Sequence, residues 1–197
     1  MGDASYFNTT KIDKEMEDIN NLKRKATQYK EIVGNTRAYR EAWKNGLKDS
    51  IVDRLTDLTK AVELEAEVEV KATVENLEAI VLSLGEVKSG IWENVNETIK
   101  RHLIKHNGSL IYQQLFNGKI VVMINLPMIE GYGQPSPPKT IAIYRPEEIK
   151  PPFILRHVED FVKEITNWED YDDDEPTGQQ KIGYHLNFMA GDKGTAS

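Results

Sequence analysis

An apolar stripe at helical spacing runs through the first part of the chain: Ile12, Met16, Ile19, Leu22, Ala26, Tyr29 and Val33, in steps of three and four, with charge on the other faces. A stripe this narrow is the seam of a helix that packs lengthwise along another helix, so it speaks for assembly rather than catalysis. The helix is expected to begin near Thr10, whose hydroxyl can cap it with Asp13 three residues on, and to stop at Gly34-Asn35. Thr36 then caps a second helix that carries Tyr39, Trp43, Leu47, Ile51, Leu55, Leu58 and Val62, with Gly46 as a weak point rather than a break. Two helices joined by so short a turn predict an antiparallel hairpin.

From Val62 to Val74 the pattern becomes ambiguous. Val62, Leu64, Ala66, Val68, Val70, Ala72 and Val74 alternate with polar residues, as in a half-buried strand. Glu, Ala, Leu and Lys are helix formers, however, and Val62, Ala66, Val70, Val74 and Leu77 mark one helix face. Glutamates in a row on one strand face would also repel each other, so helix is the favoured assignment. Helical spacing returns with Leu77, Ile80, Leu84, Val87, Ile91, Val95, Ile99 and Leu103 and ends at Asn107-Gly108, interrupted or bent at Gly85 and Ser89-Gly90.

The character then changes. Leu110 to Phe116 and Lys119 to Leu126 flank Asn117-Gly118, the strongest short signal for a two-residue β-hairpin. A loop with Gly131, Gly133, Pro135, Pro137 and Pro138 leads to a third strand, Thr140 to Tyr144. Pro152 opens a helix with Phe153, Ile154, His157, Phe161 and Ile165 on one face. The expected fold is α+β: a long N-terminal helical hairpin of coiled-coil type, then a small antiparallel sheet with one packed helix and a C-terminal arm. The corresponding boundaries are 1–107 for the helical assembly region, 108–168 for the α+β module, and 169–197 for an acidic linker and arm. Within the arm Ile182, Tyr184, Leu186 and Phe188 alternate as a strand that can dock on a neighbour.

Chemistry is hard to find. The chain has no cysteine, hence no disulfide framework and no thiolate nucleophile or ligand. A net charge of −7 opposes nucleic acid as the main partner, because phosphate affinity comes from Lys and Arg. His102 and His106 sit four apart on the expected helix, but no acid on that face completes a metal site. Asp170, Asp172 and Asp174 match the first positions of a calcium loop, which then fails with Glu175 in place of the turn glycine and Lys181 in place of the bidentate Glu. Gly131-Tyr132-Gly133-Gln134 is followed by prolines rather than a helix N-terminus, so it is no phosphate loop.

No cofactor or metal is therefore expected. The expected protein is a non-enzymatic assembly protein that pairs with itself and with other structural proteins, as a component of a phage virion head, neck or tail would. Its contacts are expected at Ile12, Met16, Ile19, Leu22 and Tyr29, and at Ile182, Tyr184, Leu186 and Phe188. A protein- or peptide-binding adaptor is the alternative, and an enzyme using scattered carboxylates comes behind it. With no signal-peptide pattern at Met1 to Tyr6 and no apolar run of membrane-spanning length, synthesis and residence inside the cell are expected, without a membrane partner.

Overall fold

The computed structural model describes residues 4–170, with side chains at Lys14 and from Met16 onward. The element order is one long joined helix, eight strands and a final helix, an α+β arrangement. The helical hairpin expected at the N-terminus is not formed. Helix α1 (Ala4–Ala42) runs straight through Gly34-Asn35. A mid-helix glycine costs only about 1 kcal/mol, which helix formers on both sides offset. Thr36 caps nothing: its hydroxyl donates to the carbonyl of Ile32 one turn back and so continues the helix.

The conformational change comes at Gly46 instead. Trp43–Leu47 forms a single wide π turn, with Asn45 and Gly46 outside helical geometry and Gly46 at a φ of 132°, which a side chain rarely tolerates. Helix α2 (Lys48–Ala61) continues beyond it and buries Ile51, Leu55, Leu58 and Thr59 at spacings of three and four. Trp43, wholly buried, fixes this junction: its Nε1 donates to Glu78 Oε2 at 3.1 Å, and Lys48 Nζ meets the same oxygen at 3.0 Å. The Trp43 hydrogen bond, followed by those of Lys48 and the Lys48 and Lys44 charges, holds the Glu78 carboxyl below its ordinary pKa against the opposing effect of burial.

The stretch expected as a third helix is three strands: β2 (Ala79–Ser83), β3 (Glu86–Asn94) and β4 (Lys100–His106). Before them β1 (Glu67–Lys71) is also a strand, which corrects the helix favoured for residues 62–74. The glutamate row is tolerable because β1 lies at a sheet edge, where Glu67 faces Ser83 and Glu69 faces Val81, both uncharged. The hairpin signal holds: β5 (Ser109–Gln114) pairs with β6 (Ile120–Asn125) around Asn117-Gly118. Its turn uses three residues rather than two. Gly118 N donates to Leu115 O and Leu115 N to Lys119 O, a type I turn closed by a glycine bulge.

Two further strands, β7 (Met128–Ile129) and β8 (Lys139–Tyr144), complete an antiparallel five-stranded sheet, β1-β2-β5-β6-β8, and a three-stranded one, β3-β4-β7. On the inner face of the large sheet Ile80, Leu82, Leu110, Tyr112, Val122 and Ile124 pack with α2 and with α3 (Pro151–Glu169). Helix α3 buries Ile154, His157, Phe161 and Ile165 as expected, with Val158 added and Phe153 left exposed, and starts on Pro151 and Pro152, whose lack of N–H costs nothing in a first turn.

The two sheets share a continuous ribbon. Leu84 N donates to Gly108 O and Asn107 N to Gly85 O, so β2 and β3 on one side and β4 and β5 on the other form one long hairpin with its root in the core.

Candidate functional site

Helix α1 leaves the body at its base. From Met16 to Asn35 every side chain is exposed, a stretch that rises about 30 Å at 1.5 Å per residue. The expected contact residues lie there: Met16 is 58% exposed, Ile19 44%, Leu22 66% and Tyr29 69%, with Ile32 and Val33 exposed beside them. At 100° per residue Leu22, Ala26, Tyr29 and Val33 fall on one side. A helix of this length in water is marginal without packing on an apolar face, and nothing in the described chain covers this one. The side chain of Ile12 lies outside the described residues, as do Ile182, Tyr184, Leu186 and Phe188.

The base of the arm is buttressed. Arg40 Nη2 donates to Phe116 O at 2.8 Å, and Gly118 in the β5–β6 turn comes so near α1 that a Cβ there would stand 2.8 Å from Tyr39 Cβ and 2.9 Å from Thr36 O. One turn further on, Trp43 enters the core. The hairpin tip and the core thus grip residues 36–43, and the arm is the unsupported continuation of that same helix.

A second projection was missed by the sequence, which put its residues on a helix. The outer part of β3 and β4 is a two-stranded ribbon whose residues 92–101 are all exposed, with Trp92, Val95 and Ile99 among them. Asn96 Oδ1 accepts from the N–H of Thr98 and of Ile99 and shapes the tip. Trp92 lies against His102, with ring centroids 3.4 Å apart. The β-branched content of this segment and its paired glycines were the available signal. Because His102 and His106 lie on a strand, four residues put them roughly 13 Å apart, too far to share an ion. His106 instead meets Glu86 at 2.8 Å and Glu130 at 3.6 Å.

Among the described polar groups inside the body, Gln114 has no side-chain hydrogen-bond partner, whereas His157 has two. His157, buried on α3, is held between two phenols, with Tyr112 Oη 2.9 Å from Nδ1 and Tyr144 Oη 3.1 Å from Nε2. Burial lowers the His157 pKa, partly opposed by Asp160, and raises that of Tyr112. A neutral imidazole that donates at one nitrogen and accepts at the other satisfies both contacts and joins α3 to β5 and β8.

On the outer side of the sheet a cleft of about 590 Å³ is lined by Glu67, Glu69, Glu86, His106, Asn125 and Pro135, among others. Among the described residues no group of three or more His, Asp or Glu is placed to hold a metal ion. Nor, among them, is any helix long and apolar enough to cross a membrane. Comparison with protein-family models, with curated proteins and with solved structures finds no match for the chain.

Proposed function

We propose that this chain is a non-enzymatic assembly protein that joins copies of itself, and neighbouring structural proteins, through projecting arms. The observation that carries this is the helical arm: an apolar stripe some 20 residues long that its own body leaves uncovered. A helix face of this kind gains stability only from an outside partner, because burying each Leu or Ile contributes about 1.5–3 kcal/mol. The ribbon tip, with Trp92, Val95 and Ile99 exposed, supplies a second contact for a different neighbour. A phage particle is the setting we infer, since a head, neck or tail presents the repeated neighbours that two arms on one body require.

The test is the double substitution Ile19→Asp with Leu22→Asp. Both side chains lie on the arm away from the core, so the melting of the body stays unchanged while the mass in solution drops to that of one chain. A mass equal to that of the native protein would contradict the proposal.

A second proposal rests on the cleft. A groove lined by Glu67, Glu69 and Glu86, with Lys71 beside Glu69 and His106 beside Glu86, keeps an excess of acid that suits a basic peptide and would make the protein an adaptor, monomeric with its groove filled by a partner. Titration with a lysine-rich peptide separates the two: saturable binding lost in Glu69→Lys favours the adaptor.

A further inference from the structure

The arm carries its charge unevenly. Asp13, Glu15, Glu17 and Asp18 outnumber Lys11 and Lys14 in its first part, whereas Lys23, Arg24, Lys25 and Lys30 follow with no acid until Glu31. All of these that are described, from Glu17 to Glu31, are exposed. Two such helices side by side in the same direction set acid against acid and base against base. Reversing one of them sets each acidic segment against a basic one.

The body imposes a second condition. Thr36 and Arg40 lie on the same side of α1 as Leu22, Ala26 and Val33, and that side is where the β5–β6 tip sits, with Phe116 O on Arg40 and Gly118 against Thr36 and Tyr39. A parallel partner in register along the stripe would have to pass its own residues 36–43 through the volume the hairpin tip fills. A reversed partner carries its body away at the far end and brings only the first residues of its helix toward the tip.

We infer that two copies of this chain pair through α1 as an antiparallel helix dimer, an inference that rests on the self-association proposed above. The register that interleaves the stripe places Ile19 of each copy opposite Leu22 of the other, and it brings Glu17 and Asp18 beside Lys23, Arg24 and Lys25. Residue 36 then lies opposite residue 5 of the partner, so the two bodies stand about 45 Å apart along the helix axis.

Because the native chain has no cysteine, thiol cross-linking of the full-length protein reads the orientation directly. Glu15→Cys and Ala26→Cys are made separately, oxidised alone and as a mixture, and their mass before oxidation is measured by light scattering. The antiparallel dimer cross-links only in the mixture, because each position lies roughly 15 Å along the axis from its own copy, beyond the 7 Å Cα limit of a disulfide. Self-cross-linking of the single variants, with none in the mixture beyond it, would overturn the antiparallel arrangement and leave self-association standing. A dimer that cross-links in no combination would place the contact elsewhere on the chain and overturn helix pairing. A monomeric mass would overturn the self-association on which the inference rests.

Discussion

Replacing Gly118 by Ala tests whether the hairpin tip sets the base of the arm. Gly118 has a φ of +77°, a conformation that costs an L residue about 1–2 kcal/mol. The added methyl would also stand 2.8 Å from Tyr39 Cβ, 2.9 Å from Thr36 O and 3.3 Å from Arg40 N, contacts with the stem of a helix rather than with a flexible side-chain end. Overpacking of that kind costs about 1–3 kcal/mol. The chain can relieve it only by moving the hairpin off α1, which gives up the 2.8 Å bond from Arg40 to Phe116 O. The expected loss is therefore about 2–5 kcal/mol, read as a lower urea midpoint with an unchanged slope. Gly34→Ala is the control: its Cβ would meet nothing within 4 Å and its backbone is helical, so arm helicity should rise and the urea midpoint of the body should stay. A Gly118→Ala protein within about 0.5 kcal/mol of the native one would refute the buttress, since that is the range of a neutral surface change.

Four more outcomes are expected from the core. Glu78→Gln leaves Trp43 and Lys48 without their carboxylate and should cost about 1–3 kcal/mol near neutral pH. As the folded pKa of Glu78 is depressed, its contribution is complete above the ordinary value of 4.5 and disappears as pH falls through the lower folded value, so urea midpoints of native and variant should converge in acid. Tyr112→Phe strips His157 Nδ1 of its partner and should cost about 1–3 kcal/mol. The depressed His157 pKa means that the folded protein binds fewer protons there than the unfolded chain. Stability should therefore be full above about pH 6.5 and fall below it, and the midpoint of a His157→Gln variant should lose that part of its pH dependence. Gln114 is wholly buried with neither side-chain atom partnered, so Gln114→Met should raise the melting temperature, a gain of about 1–2 kcal/mol.

The parts of the fold that were legible carry punctuation that no tertiary contact overrides. Asn117-Gly118 marked the central hairpin and Pro151-Pro152 marked the start of α3, because each fixes local dihedrals by itself. Only the length of the β5–β6 turn escaped, since a two- and a three-residue loop share the same Asn-Gly signal. The N-terminal half misled where two periods coincide. Ile80, Leu84, Val87 and Ile91 satisfy a helix, while Ile80, Leu82 and Leu84 satisfy a strand, and pairing with β5 decides for the strand. Gly34 looked like a stop because glycine is common past helix ends, but it lacks the following residues that would turn the chain back.

For the candidate site, the stripe from Met16 to Val33 was fully visible, and its exposure is what the structure adds. The ribbon tip at Trp92, Val95 and Ile99 was not visible, because an exposed two-stranded arm depends on pairing between β3 and β4. The His157 pair of phenols was equally hidden, with Tyr112 lying 45 residues before it in sequence.

The most direct test of self-association through the arm is the absolute mass of the full chain by light scattering, followed through a hundredfold dilution. A mass of two chains that gives way to one only at low concentration, and that is one chain throughout for Ile19→Asp with Leu22→Asp, is the predicted result. One chain at every concentration for the native protein would contradict the account.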